Sequence, residues 1–320
     1  MAVALFLAAV GARSTAKGAH WEQFVREVSD RPSSPCDETG YQRIERLARL
    51  LSAAAAEATP GLYKQIGQAG VFLQGVAGQP DYKQVKTRFM HRHLCRMQPQ
   101  PTTICEVGFM AGHTSMLFLE SVPGARMLGF DWGNYPWTSS QGELMREAYG
   151  RRFNITFGLS QQTLPKFHKD HPDASCDVVF VDGSKVYENR LLDLQNFKHM
   201  SAPHAAVFFD EVCDPACVRG HKSCGEPWPG CHMGSSEAYA VASRIGLLNV
   251  TDCDFPPGHM PSVKRKHEGD GTCVARYCGD ELCPLNLPLS ARLTSNFKRE
   301  NFWDNPQKGA AKLVAQDFGV

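Results

Sequence analysis

Acidic residues stand at the ends of three short apolar runs in the chain. They are Asp131, Asp182 and the pair Asp210-Glu211. A helix cap or a turn would explain an acid at any one of these three positions, but it explains less well why acids recur at all three. Ligands of an open α/β sheet bind beyond the carboxyl ends of the strands, where such carboxylates could converge. Their hard oxygen atoms suit Mg²⁺ or Ca²⁺.

One stretch predicts how the first of these residues is positioned. The apolar run Ile104 to Val107 is typical of a buried strand and stops at Gly108. Gly108 and Gly112 bracket a turn in which the backbone can approach a ligand without an intervening Cβ. A helix and a second strand follow, and Asp131 at the end of that strand is placed to accept hydrogen bonds from ribose hydroxyls. The stretch therefore predicts a nucleoside-binding βαβ unit.

The spacing of the glycines separates two classes of cofactor. Dinucleotide-binding folds use G-x-G-x-x-G, whereas Glu106 to Gly112 is E-x-G-x-x-x-G and lacks the third glycine. This pattern resembles the first motif of class I S-adenosylmethionine (SAM) methyltransferases, in which the carboxylate faces a cationic, phosphate-free cofactor. An ordinary Rossmann-like turn is the alternative interpretation.

Two later segments make the resemblance more specific. The run from Gly158 to Phe167 contains Ser160-Gln161 and looks like the third motif of catechol O-methyltransferase. Asp182-Gly-Ser-Lys185 looks like its fourth motif, and the caffeoyl-CoA O-methyltransferases share this Asp-x-x-Lys spacing. A broad group of bacterial-type methyltransferases resembles the same segment but usually carries His where this chain has Lys185. The similarity covers roughly residues 105–277.

The resemblance implies a role for each matching residue. The implied SAM contacts are Glu106 and Gly108 for the methionine part, Gly112 in the same turn, Asp131 for the ribose, and Ser160 and Gln161 for the adenine. The implied ligands of Mg²⁺ (or Ca²⁺) are Asp182, Asp210 and Glu211, and the implied catalytic base is Lys185. A metal bound to a hydroxyl oxygen lowers its pKa, and a lysine with a depressed pKa can then accept the proton. The chain departs from the family pattern at the third metal ligand. The animal and plant enzymes have Asp-Asn there, whereas this chain has Asp210-Glu211, which adds a negative charge.

Alternating strand and helix patterns predict the fold class and the domain organisation. The fold class is α/β, with a Rossmann-like, seven-stranded, mostly parallel sheet, helices on both faces and an N-terminal helical extension. The seventh strand, Thr272 to Tyr277, is predicted to lie at an edge. The expected units are a signal peptide at 1–16, a helical cap at 17–98, a SAM-binding core at 99–280 with a Cys-rich insertion at 213–232, and a tail at 281–320.

Composition limits the partners. The chain has 320 residues, with Lys+Arg 34 against Asp+Glu 33 and a net charge of +1. This balance gives no electrostatic argument for nucleic acid as a partner. No apolar run is long enough to span a bilayer, so we expect no transmembrane segment. The oligomeric state is not specified by the sequence.

The N-terminus and the cysteines bear on the compartment. Residues 2–10 are apolar and Ser14-Thr15-Ala16 is small, as in a secretory signal, although no Lys or Arg precedes the run. Most of the 12 cysteines fall in two clusters, at 213–231 and 253–283, which favours disulfides, with zinc as the rival for the first cluster. Cys95, Cys105 and Cys176 are expected to be thiols. Asn154-Ile-Thr and Asn249-Val-Thr are glycosylation sequons. We expect a secreted or lumenal protein, with the cytoplasm as the alternative.

Together these patterns predict a SAM-dependent methyltransferase that acts on the hydroxyl group of a small molecule and depends on a divalent cation. One rival is a metal-independent methyltransferase that acts on nitrogen or on a sugar. Another rival is a catalytically silent, secreted binding protein on the same scaffold, because fold alone does not decide function.

Overall fold

The computed structural model describes residues 17–30, 34–59, 81–213, 233–254 and 270–278, with only the backbone described at 81–85, 213, 233 and 270. A seven-stranded sheet forms its centre, with the strands in the order β3-β2-β1-β4-β5-β7-β6. The strands are β1 (Thr103–Val107), β2 (Arg126–Asp131), β3 (Phe153–Phe157), β4 (Cys176–Val181), β5 (Ser201–Cys213), β6 (Leu248–Asp254) and β7 (Asp270–Tyr277). The predicted signal peptide, the tail and most of the Cys-rich insertion lie outside the described residues.

The direction of the strands confirms the predicted fold class. Strands β1 to β5 are mutually parallel, and β7 runs antiparallel to both β5 and β6. The order of the strands reverses between β1 and β4, which is where open α/β sheets open a crevice for ligands. The predicted edge position of the seventh strand is wrong, because β7 lies between β5 and β6. Residues 271–275 are buried, whereas the polar strand β6 tolerates the solvent at the edge.

Helices cover both faces of the sheet. They are α1 (Ala19–Ser29), α2 (Glu38–Ala58), α3 (Asp81–Arg96), α4 (His113–Ser121), α5 (Thr138–Tyr149), α6 (Ser160–Asp170), α7 (Tyr187–His199) and α8 (Met233–Arg244). Alternate residues of each strand point to opposite faces. Ile104 therefore packs in one hydrophobic cluster with α1 to α5, and Val107 packs in a second cluster with α6 to α8.

Buried polar contacts join the N-terminal helices to the core. The Arg43 Nε atom of α2 lies 2.9 Å from the Glu120 Oε2 atom of α4, and both side chains are buried. The Tyr149 hydroxyl donates to the other oxygen of Glu120 at 3.0 Å. The apolar side chains of α1 and α2 belong to the same cluster as Ile104. Helices α1 to α3 therefore share the core of the sheet and do not enclose a separate core.

Disulfides connect elements that are far apart in the sequence. The pairs are Cys36–Cys95, Cys105–Cys176 and Cys253–Cys273. The expectation that Cys95, Cys105 and Cys176 are thiols is wrong, because partners 59 and 71 residues apart meet only in the folded chain. Cysteines 217, 224, 231 and 283 lie outside the described residues, so the choice between disulfides and zinc in the first cluster stays open. Among the described helices, none is both long and apolar enough to cross a membrane.

Candidate active site

The turn after β1 brings the backbone of β1 close to that of β4. Gly108 has a φ of 99°, which favours glycine, and its amide donates to the Phe130 carbonyl of β2 at 2.9 Å. A Cβ at this position would overlap the backbone carbonyl of Asp182. Gly112, with a φ of 84°, is the cap residue of α4. The two predicted glycines therefore allow a tight turn that packs against the Asp182 backbone and the Phe109 ring.

Glu106 is a buried acid with one unused oxygen. Its side chain has no exposure to solvent, and the Ser115 hydroxyl donates to Oε2. The Oε1 atom has no hydrogen-bond partner among the described residues. Burial raises the pKa of Glu106 to about 8, Ser115 opposes this, and the carboxylates of Asp182 and Asp131 add to it. A buried carboxyl group with a free oxygen suits a cationic ligand group, which would offset the cost of burying its charge.

Asp131 is the last residue of β2 and is held by the turn. The amide of Met110 donates to its Oδ2 atom at 2.8 Å, and the amide of Gly133 donates to its Oδ1 atom at 2.7 Å. An ionised carboxylate has about four acceptor positions, so each oxygen can accept one further hydrogen bond. The ribose contact of Asp131 stays a prediction.

Ser160 and Gln161 form the first turn of α6, next to the ends of β2 and β3. The Gln161 Nε2 atom donates to the Ser160 hydroxyl at 2.9 Å, and both residues are half-buried. Three apolar side chains in this region are exposed, and they are Trp132, Phe157 and Leu159. An aromatic surface of this kind is suited to stacking on a planar ring, as an adenine-binding region requires.

Lys185 lies between two carboxylates at the ends of β4 and β5. Its Nζ atom pairs with Asp182 Oδ1 and with Glu211 Oε2. Burial lowers the pKa of Lys185, but these two carboxylates outweigh burial, so the pKa lies above its usual value. The guanidinium of Arg190, which is buried, stands 3.8 Å from Asp182 Oδ1 and 4.0 Å from Glu211 Oε2.

Asp210 is paired with a different cation. The Lys86 Nζ atom of α3 pairs with its Oδ1 atom, which also accepts from the Thr272 hydroxyl at 3.1 Å and from the Glu211 amide at 2.8 Å. Burial raises the pKa of Asp210, but Lys86 outweighs burial, so the net pKa is lowered. The structure thus brings Asp182, Lys185 and Glu211 together and gives Asp210 its own partner.

The strand that carries Asp210 and Glu211 is longer than predicted. Both residues lie inside β5, which runs to Cys213, and the ladder with β7 shifts register between Phe209 and Val212. Glu211 at this shift has a φ of 61°, which is unusual for a residue other than glycine. Such a bulge re-aims the side chains around it, so Glu211 reaches Lys185 while Asp210 contacts Lys86.

The three predicted metal ligands do not fit a divalent ion in this arrangement. Within the described residues, no group of three or more His, Cys, Asp or Glu side chains is placed to hold a metal ion. Asp182 and Glu211 share the Lys185 amino group, and Asp210 has Lys86. The Mg²⁺ site therefore stays a prediction, and we derive no chemical step through it.

Two cations of the site were not predicted from the sequence. Lys86 lies on a helix rich in charged residues, where a lysine normally faces the solvent, so the sequence contains no signal for it. Arg190 does have a signal, because it shares a helical face with Leu194 and Phe197. A charged residue at a core-facing position indicates a buried partner.

Comparison with known proteins finds one matching family and several similar solved structures. Residues 105–212, about a third of the chain, match the model of a family described as a methyltransferase domain. No curated protein matches the sequence. One similar solved structure is the O-methyltransferase TomG from Streptomyces achromogenes in complex with SAM, with 18% identity, coverage of 72% of this chain and 89% of that chain, and a TM-score of 0.48.

Two further similar structures have other activities or sources. The O-methyltransferase from Bacillus cereus in complex with SAH has 13% identity, coverage of 68% and 91%, and a TM-score of 0.45. The N-methyltransferase NodS from Bradyrhizobium japonicum has 13% identity, coverage of 62% and 98%, and a TM-score of 0.43. Residues 105–212 thus resemble a methyltransferase domain, and the order of the strands is that of a doubly wound α/β sheet.

Proposed function

We propose that this domain transfers the methyl group of SAM to a hydroxyl oxygen of a small molecule. The observation that carries the proposal is the placement of Lys185 between Asp182 and Glu211 at the carboxyl edge of the sheet. This set provides a hydrogen-bond donor and two proton acceptors beside the turn at Gly108.

The residues around the turn fit SAM. Glu106 offers a free, buried carboxyl oxygen to the cationic methionine part, and Asp131 has acceptor positions left for the ribose. Ser160 and Gln161 would lie against the adenine. SAM, when bound, supplies an electrophilic methyl group. No cation other than SAM is needed to explain the free oxygen of Glu106.

The chain's own residues would hold the acceptor and take its proton. The predicted role of Lys185 as a base requires loss of its proton, which the two carboxylates oppose by raising its pKa. We infer that Lys185 instead donates a hydrogen bond to the acceptor oxygen and fixes its direction. The oxygen loses a proton as it gains the methyl group, and a carboxylate of the Asp182–Glu211 pair accepts that proton.

A two-part experiment tests the proposal. Calorimetric titration measures SAM binding, and mass spectrometry then measures methylated products from catechol, phenol, aliphatic alcohol, sugar and amine acceptors. SAM binding with O-methylated phenol or catechol supports the proposal. Methylation of amines or sugars alone would favour the first rival, and SAM binding with no turnover of any acceptor would favour a silent binding protein. Absence of SAM binding would overturn the cofactor assignment.

We further propose that the protein folds in an oxidising compartment, secreted or lumenal. The three disulfides between described residues support this location, since such bonds are rare in cytosolic proteins. The sequon at Asn154 agrees with it, because this residue is exposed on the edge strand β3. Thiol titration of denatured, unreduced protein from its native source tests the proposal. Free thiols at all 12 cysteines would place the protein in the cytoplasm.

A further inference from the structure

We propose that Lys86, supplied by the N-terminal helix α3, occupies the position of a divalent cation at Asp210, so that the chain itself neutralises the carboxylates of the site. The catalytic meaning of this inference rests on the proposed function, whereas the exclusion of a metal ion by Lys86 does not. The consequence is a methyl transfer that is insensitive to chelators.

The first argument is the occupancy of one oxygen atom. Asp210 Oδ1 pairs with the Lys86 Nζ atom and accepts hydrogen bonds from the Thr272 hydroxyl at 3.1 Å and the Glu211 amide at 2.8 Å. A carboxylate oxygen has two lone pairs, so these three donors fill Oδ1, and a metal ion could bind Asp210 only through Oδ2 or by displacing a donor. Since only 9% of the Lys86 side chain is exposed, the pair is also shielded from water.

The second argument is the balance of charge. The acids at the ends of β4 and β5 are Asp182, Asp210 and Glu211, and the cations within 4.0 Å of their carboxylates are Lys86, Lys185 and Arg190. The three formal negative charges are matched by three positive ones. A divalent ion added to this partly buried set would leave two uncompensated positive charges, which the three neighbouring cations would repel. Without Lys86, one negative charge would be left to attract a metal ion.

The third argument is that α3 is fixed against the sheet. The disulfide between Cys36 and Cys95 ties its C-terminal turn to the segment before α2. The His93 side chain lies 3.1 Å from Asp252 of β6, and the Arg92 guanidinium lies 4.0 Å from Asp254. Lys86 is therefore delivered by a helix with a defined position, and its contact with Asp210 does not depend on a loop.

Binding of Mn²⁺, followed by the electron paramagnetic resonance of the free ion, tests the inference without any methyl acceptor. We expect the wild-type protein to bind Mn²⁺ no tighter than about 1 mM. Removal of a positive charge next to Asp210 should tighten binding by at least about tenfold in Lys86→Met. Lys166→Met is the matched control, because it removes the same charge from an exposed ion pair with Asp170 and should behave as the wild type.

Further variants separate the alternatives. Lys86→Arg keeps the charge and should leave Mn²⁺ binding weak. The double variant Lys86→Met/Asp210→Asn removes both partners, so it avoids an unpaired buried acid and should also bind Mn²⁺ weakly. Micromolar binding of Mn²⁺ by the wild type would overturn the inference by itself, even if Lys86→Met does not fold. Equal affinities of the wild type and Lys86→Met would overturn it as well.

The same samples distinguish failure of this inference from failure of the proposed function. SAM binding is measured by calorimetry with excess chelator and does not involve Lys86. Absence of SAM binding would sink the proposed function and leave the Mn²⁺ comparison valid. SAM-dependent turnover that is lost with chelator and restored with Mg²⁺ would sink the role of Lys86 and leave the proposed function standing.

Discussion

SAM affinity should depend on the ionisation of Glu106. The carboxyl group is fully buried, one of its oxygens has no partner among the described residues, and burial raises its pKa to about 8. Only the ionised form attracts the cationic methionine part of SAM. Binding at neutral pH must therefore remove a proton from Glu106, and the free energy of that removal weakens the affinity.

The size of the effect follows from the pKa. At pH 7 a group with a pKa of about 8 is ionised in roughly one molecule in ten, which costs about 1.4 kcal/mol, or tenfold in affinity. Each lower pH unit costs roughly another tenfold, so the dissociation constant should fall about tenfold between about pH 6 and 7. The affinity is measured only below about pH 7.5, because an α-amino group such as that of SAM ordinarily titrates near 7.7–8.0 and would add its own pH dependence.

Calorimetry in buffers with different ionisation enthalpies measures both the affinity and the protons released. We expect the wild type to release close to one proton near pH 7. Glu106→Gln should bind SAM at least about tenfold more weakly than the wild type at pH 7.5 and lose most of the pH dependence. Asp170→Asn, which alters an exposed acid, is the control and should match the wild type. A pH slope in Glu106→Gln equal to that of the wild type would refute the reasoning.

Stability in the absence of SAM provides an independent check. The folded-state pKa of Glu106 lies above its ordinary value of 4.5, so folding favours the protonated form. Its contribution to the free energy of unfolding is complete below about pH 4.5 and is lost as the pH rises towards 8. Glu106→Gln mimics the neutral carboxyl group, so it should be more stable than the wild type at pH 8 and close to it at pH 5. Urea unfolding at the two pH values measures this difference.

Three further substitutions test the site and its support. Lys185→Ala should lower kcat by about a hundredfold or more, while the affinity for SAM stays within about threefold of the wild type. The control Lys166→Ala should change neither quantity. A wild-type kcat in Lys185→Ala would remove this residue from the mechanism. Arg43→Ala leaves the buried Glu120 without its cation and should lower the free energy of unfolding by about 3–5 kcal/mol, as measured by urea unfolding. The control Arg46→Ala removes an exposed cation and should lower it by less than about 1 kcal/mol. Gly108→Ala forces a Cβ into the backbone of Asp182, the residue after β4, so it should abolish SAM binding in calorimetry. Wild-type affinity in this variant would contradict the geometry of the turn.

Local signals were sufficient for the strands and for the turn that follows β1. The run before Gly108 is apolar and short, and it forms β1 within one residue of the expected bounds. Gly108 and Gly112 were predicted to bracket a turn that has no room for a Cβ, and both lie in a turn with a positive φ. Asp131 ends its strand as expected. These features depend on a few consecutive residues, so they can be inferred from residue type and spacing.

Long-range contacts decided which cation each acid at the ends of β4 and β5 pairs with. The sequence determined which acids stand near the ends of β4 and β5, because apolar runs and their termini are local properties. Only the tertiary structure decided that Asp210 faces Lys86, 124 positions earlier, while Glu211 faces Lys185. A bulge in β5 and the docking of α3 against the sheet produce that division, and both depend on packing between segments that the sequence keeps far apart. The disulfides that join Cys36 to Cys95 and Cys105 to Cys176 were hidden for the same physical reason.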